Sequence, residues 1–284
     1  MNGDNKILEA LAADGIAKQK LHVMMIVDTS RSMQGERINQ VNTAIANIHK
    51  YLVDLQSENT NVDFYVSIMT FANRAEFVAG YKGVNVKDMT PPTLKAIGYS
   101  NLHCAYEELA PVLQKESRGG LMPDFGGVAP IILLLTDGHP TKDTKVQLEN
   151  LKQLPWFKAS LRYGIAIELN DERTMRVLSE FTDDQDCVIK CVDANTLAKI
   201  IQVIVLTASQ VKSQSNGVNG NAAAKPANNA AKPANNAPKP KVRANKNAAA
   251  KPSPKPAPKN NVHAVVKQQV KATLDEIDDW EWGE

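Results

Sequence analysis

Cysteine is sparse in this 284-residue chain: Cys104, Cys187 and Cys191 are odd in number and scattered. This excludes a disulfide-stapled scaffold, so reduced thiols and a cytoplasmic setting are expected. Cys187 and Cys191 lack a second ligand pair at zinc spacing and read as buried strand thiols. Long apolar runs are also missing. Even Leu197 to Ala208 is too short to span a membrane and follows helical spacing. The start, Met1-Asn2-Gly3-Asp4-Asn5, has no basic segment leading into an apolar one, so no signal peptide is expected. Acidic residues are absent from 212–261, and bases from the last ten positions.

These gaps expose a division that the net charge of +2 hides. Residues 212–261 carry +10 and residues 262–284 carry −4, which leaves −4 for residues 1–211. A mildly acidic globular part is not a nucleic-acid binder by charge. Most of the 43% apolar residues precede position 211, enough for one sizeable core. We therefore expect a leader helix within 1–17, a domain over 18–211, a linker over 212–261 and a terminal motif over 262–284.

Leu21 to Val27 is short, apolar and rich in branched residues, as expected of a strand buried on both faces. From Glu36 to Gln56, apolar residues recur at spacings of three and four, which predicts an amphipathic helix. Val62 to Phe71 is strand-like, with Ala75 to Val78 a short hairpin partner, whereas 81–97 fits no element. Helices are expected at 101–115, 144–154, 172–181 and 195–211, and strands at 130–135, 161–167 and 187–192. The alternation predicts an α/β fold: a Rossmann-like, doubly wound, mostly parallel sheet with helices on both faces. The Gly-rich stretch 116–129 lies between a helix and a strand, the reverse of the order a phosphate cradle requires.

The first strand stops at Asp28, followed by Ser30 and Ser32. If the backbone stays extended there, side chains two apart aim at one point. A carboxylate with hydroxyls is a hard oxygen set suited to Mg2+, Mn2+ or Ca2+. The same residues also suit an ordinary strand-to-helix turn, with Asp28 or Ser30 as a cap. In open α/β sheets ligands gather at the carboxyl ends of strands. Two more stretches fall on that rim: Thr136-Asp137-Gly138 after the strand at 130–135, and Tyr99-Ser100-Asn101 before a helix.

Asp28-x-Ser30-x-Ser32, Ser100 and Asp137 in Thr-Asp-Gly together resemble the metal-ion-dependent adhesion site of the von Willebrand factor A family, in order and spacing, over about 18–211. Within it, Leu-Leu-Thr136-Asp137-Gly138-His139-Pro140-Thr141 and Tyr163-Gly164-Ile165-Ala166-Ile167 are similar to bacterial proteins of the tellurium-resistance type. The resemblance implies that Ser30 and Ser32 ligate the metal directly and that Asp28 and Asp137 do so directly or through water. Ser100 stands where threonine is usual. It also implies a protein partner that offers an Asp or Glu, with a kinase or phosphatase of the same gene cluster as a candidate. His139, beside Asp137, reads as a rim residue facing the partner. A hydrolase would need it as a base, and no nucleophile with a His and acid partner is visible, so a non-catalytic role is expected. The resemblance implies a stress or defence system as its setting. His22 and His103 read as packing or helix-start residues.

The Ala/Asn/Lys/Pro composition of 212–261 cannot bury a core. It lacks the aromatics that stack bases and the apolar residues that enter lipid, so neither nucleic acid nor membrane is expected as a partner. Beyond it, Val262, Val265, Val266, Gln269, Val270, Leu274 and Ile277 share one helical face, ahead of an acidic end containing Trp280 and Trp282. A helix this short predicts folding on a partner, with those tryptophans as contacts or an acid of the tail as an occupant of the chain's own metal site.

Overall fold

A computed structural model describes residues 18–58, 61–168, 171–191, 193–218 and 262–281, with residues 82, 211–218 and 277–281 described by their backbone alone. The expected leader helix lies outside the described residues.

Among the described residues, six strands form one sheet in the order β3-β2-β1-β4-β5-β6. They are β1 (Gln19–Asp28), β2 (Val62–Phe71), β3 (Ala75–Asn85), β4 (Ile131–Thr136), β5 (Leu161–Ile167) and β6 (Val188–Cys191). All neighbours pair in parallel except β2 with β3, the hairpin expected at one edge. The central strands are apolar on both faces because helices cover both. Helices α1 (Glu36–Glu58) and α6 (Ala194–Val218) close one side over Val23, Met25 and Val27. Helices α2 (Leu102–Val112), α3 (Lys145–Gln153), the short α4 (Pro155–Ala159) and α5 (Glu172–Thr182) close the other side over Met24 and Ile26.

β3 runs seven residues beyond its expected end at Val78. The strand passes through Gly80 and Gly83 at positive φ, with a register irregularity opposite Val66 to Met69. A Cβ on Gly80 would sit 2.0 Å from the Val66 carbonyl oxygen, so glycine is what lets the bend pair. His22 lies buried against Tyr65 and Gly83, a packing residue as expected.

The last helix, α7 (Val262–Glu281), packs along α6. Val266 and Val270 are buried in the core under α6, with Val262 and Leu274 beside them. Lys267 Nζ reaches Asp184 and Asp186, at 2.7 and 2.8 Å, in the turn that feeds β6. The expected apolar face therefore lies on this chain's own domain. Val265 and Gln269 belong to its exposed side, because Val266 and Val270, four apart, set the buried stripe.

Candidate metal site

Register explains how two aspartates 109 positions apart meet. Val27 pairs with Leu135 between parallel β1 and β4, so Asp28 and Thr136 end adjacent strands and Asp137 follows at the same rim. Asp28 is fully buried. Its Oδ1 accepts the Ser30 N–H at 2.8 Å, and its Oδ2 accepts the hydroxyls of Thr136 (2.7 Å) and Ser100 (3.0 Å). Burial pushes the Asp28 carboxyl above its ordinary value, against these hydrogen bonds, which pull it down.

The backbone is extended at Ser30 and then tightens. Arg31 to Met33 form a 3-10 turn anchored by the fully buried Met33 side chain. The turn still brings the hydroxyls together: Ser30 Oγ and Ser32 Oγ are 3.0 Å apart, and Ser32 Oγ donates to Asp137 Oδ1 at 2.7 Å. The residue that opens this turn is Ser30, whose side chain makes no capping hydrogen bond; Asp28 accepts the Ser30 N–H through Oδ1 ahead of the turn. Its second oxygen remains turned to Thr136 and Ser100.

The loop bearing Ser100 is fastened from three sides. Ile97 N–H donates to Thr29 O (2.7 Å), and Arg31 N–H donates to Gly98 O (3.0 Å). Tyr99 N–H donates to Asn73 Oδ1 (2.9 Å), while Ser100 and Thr141 exchange two hydrogen bonds. Thr141 thereby ties the Asp137 loop to the Ser100 loop. Ile97 and Tyr99, each 69% exposed, stand on either side of this fastening.

All five expected residues, Asp28, Ser30, Ser32, Ser100 and Asp137, thus fall in one hydrogen-bonded cluster. Its oxygen–oxygen separations of 2.7 to 3.0 Å resemble the edges, about 3.0 Å, of an octahedron with metal–oxygen bonds of about 2.0–2.1 Å. Among the described residues no three His, Cys, Asp or Glu gather as a metal-binding group. This donor set is instead two carboxylates with hydroxyls, which suits a small hard cation.

His139 is exposed, with Nδ1 3.9 Å from Asp171 Oδ2. Trp280 is described by backbone alone, and Trp282 lies outside the described residues. Sequence reasoning missed Arg37. Its Nη1 donates to Asp137 Oδ2 (2.8 Å) and to the Ser32 carbonyl (3.1 Å), while Nε donates to Glu168 Oε2 (3.2 Å). The available signal was a lone base in the first turn of the helix that follows the Asp-x-Ser-x-Ser run.

The sheet order and the oxygen cluster at its carboxyl rim define an α/β domain with a candidate cation site. Residues 22–203 match the model of the von Willebrand factor type A domain, and the chain belongs to that family. It is 25% identical over 161 residues to inter-alpha-trypsin inhibitor heavy chain H1 of Bos taurus, covering 53% of this chain and 16% of that one. It is 27% identical over 169 residues to heavy chain H6 of Homo sapiens, covering 56% and 12%. The chain thus spans under a fifth of the length of these curated relatives. Among solved structures, the ArnB paralog VWA2 from Sulfolobus acidocaldarius aligns with a TM-score of 0.45 at 19% identity, covering 64% of this chain and 44% of that one. Among the described residues no helix is long and apolar enough to cross a membrane.

Proposed function

We propose that this chain is a non-catalytic, metal-dependent adaptor. In this reading, residues 18–211 form the binding domain, 212–261 a connector and 262–284 a second contact. Asp28, Ser30, Ser32, Ser100 and Asp137 hold Mg2+, with Mn2+ or Ca2+ as alternatives. The cation supplies an electrophilic position for an outside oxygen, which an Asp or Glu of a protein partner fills. The observation that carries the reading is the convergence of these five oxygen donors, from three separate loops, around a buried carboxylate whose burial favours a cation. Exposed Ile97 and Tyr99 beside Ser100 offer apolar surface to the residues flanking the partner's carboxylate. The similarity of residues 134–141 and 163–167 to the tellurium-resistance type supports a bacterial stress or defence setting in the cytoplasm. It also supports a kinase or phosphatase of the same gene cluster as partner.

A pull-down with Mg2+ against chelator tests this. Wild type captures its partner with Mg2+ alone, and Asp28→Ala loses at least about a hundredfold in affinity. Capture indifferent to the chelator and to Asp28→Ala overturns the reading. Turnover by the isolated protein that Asp28→Ala abolishes favours a hydrolase with His139 as base. Truncation after Glu276, which keeps the docked turns of α7, strengthens partner binding if an acid of the tail occupies the site; unchanged binding removes that element.

A further inference from the structure

Arg37 stands at the head of α1 and reaches two carboxylates at once. One is Asp137, whose side chain is fully buried and whose other oxygen accepts from Ser32. The second is Glu168, immediately after β5, which also accepts Gln40 Nε2 at 2.7 Å through its remaining oxygen. Gln40 follows Arg37 by three positions, so both side chains leave the same face of α1. Glu168 has φ +48°, a left-handed conformation that side chains rarely adopt and that costs of order 1 kcal/mol or more. Its backbone N–H is held by the Cys191 carbonyl at 2.8 Å. A strained, doubly hydrogen-bonded carboxylate is therefore kept beside a guanidinium that already has a buried partner.

The charges close in an informative way. Asp28, Asp137 and Glu168 set against Arg37 leave two formal negative charges, the charge of one divalent cation. A guanidinium on Asp137 and a metal ion on Asp137 draw on the same buried carboxylate, and two cations at such range repel even though Arg37 itself is 30% exposed.

We propose that Arg37 is a built-in competitor for the cation: it shares Asp137 with the metal, and Glu168 is the anchor that receives it when the metal takes Asp137. This rests on the metal reading above and adds its regulation. Arg37 sets the affinity low enough that a partner's carboxylate contributes to retention of the ion, and Glu168 keeps that affinity from vanishing. The planar fork of arginine suits the role, because separate nitrogens face the two carboxylates.

Titration calorimetry with Mn2+ and Mg2+ and thermal melts in metal and in chelator, on the full chain, test this. Arg37→Gln binds metal about tenfold more tightly, and its melting point falls in chelator while holding or rising in metal. Glu168→Gln, which leaves Arg37 leaning on Asp137 alone, binds metal several-fold more weakly. Arg37→Lys keeps the charge but not the fork that spans both carboxylates, and its metal affinity falls between those of wild type and Arg37→Gln. A purely structural Arg37 lowers the melt of Arg37→Gln equally in both conditions and leaves affinity unchanged or weakened, which overturns the proposal. If neither wild type nor Arg37→Gln binds metal, and both behave as Asp28→Ala does, the metal reading itself falls and takes the proposal with it.

Discussion

Among the described residues, two pairs of aspartates each include a partner of one basic side chain, and the settings differ in a way that separates chemistry from carpentry. At the carboxyl rim, Asp28 and Asp137 are buried, one oxygen of each accepts hydroxyls, and the other accepts the Ser30 N–H in Asp28 and Arg37 in Asp137. At the opposite end of the sheet, Asp184 and Asp186 are partly or largely exposed and clasp Lys267 of the docked helix. Burial makes the first pair costly to leave without a cation, whereas water screens the second pair. Lys267 is pushed above its ordinary range and Asp184 below its own, chiefly by their mutual hydrogen bond, yet shifts at such exposed groups carry little stability.

The largest effect that bears on this contrast comes from the apolar contact beside the clasp. Val266→Asp places a charge where a fully buried valine stood and costs about 3 kcal/mol of docking. Hydrogen exchange of residues 262–276 then loses at least about a hundredfold in protection. Retained protection would mean that the clasp, and not the valines, holds α7.

Next is the buried His22, which burial, helped by Lys20, pulls from 6.5 down to about 4. The unfolded chain takes up the proton first as pH falls, so stability is full above pH 6.5 and declines toward pH 4. The loss is at most about 3.5 kcal/mol, from about 1.4 kcal/mol per pH unit across that window. Denaturant midpoints across that window measure it, and His22→Leu flattens the slope if this histidine is its source.

The smallest effect is expected from Lys267→Ala, under about 1 kcal/mol and erased by 1 M salt. If Lys267→Ala costs as much in chelator as Arg37→Gln does, the contrast between buried and screened pairs is broken.

Much of the architecture was legible because it rests on periodicity. The unbroken apolar run before Asp28 announced a strand buried on both faces, and β2 and β5 begin and end at their expected residues. Spacings of three and four announced α1. The full extent of β3 stayed hidden because glycine ordinarily ends a strand, and its use here depends on the Val66 carbonyl across the ladder, which lies 14 positions away. At the rim, the aspartates and serines could be grouped by their places at strand ends. Arg37, Glu168 and Thr141 could not, since their roles come from contacts made across 41 to 131 positions. The partner of the last helix was equally out of reach: a stripe of valines says that something covers it and is silent on which surface does so.

The docked helix has a consequence in the order of synthesis. Between Val218, the end of α6, and Val262, the start of α7, lie 43 residues. At about 5–20 residues per second, a ribosome takes roughly 2–9 s to cross them. For that interval the domain has all six of its strands but lacks Val266 and Val270, so the apolar flank of α6 they cover is bare. The nascent chain thus passes through an open-sided state that lasts seconds.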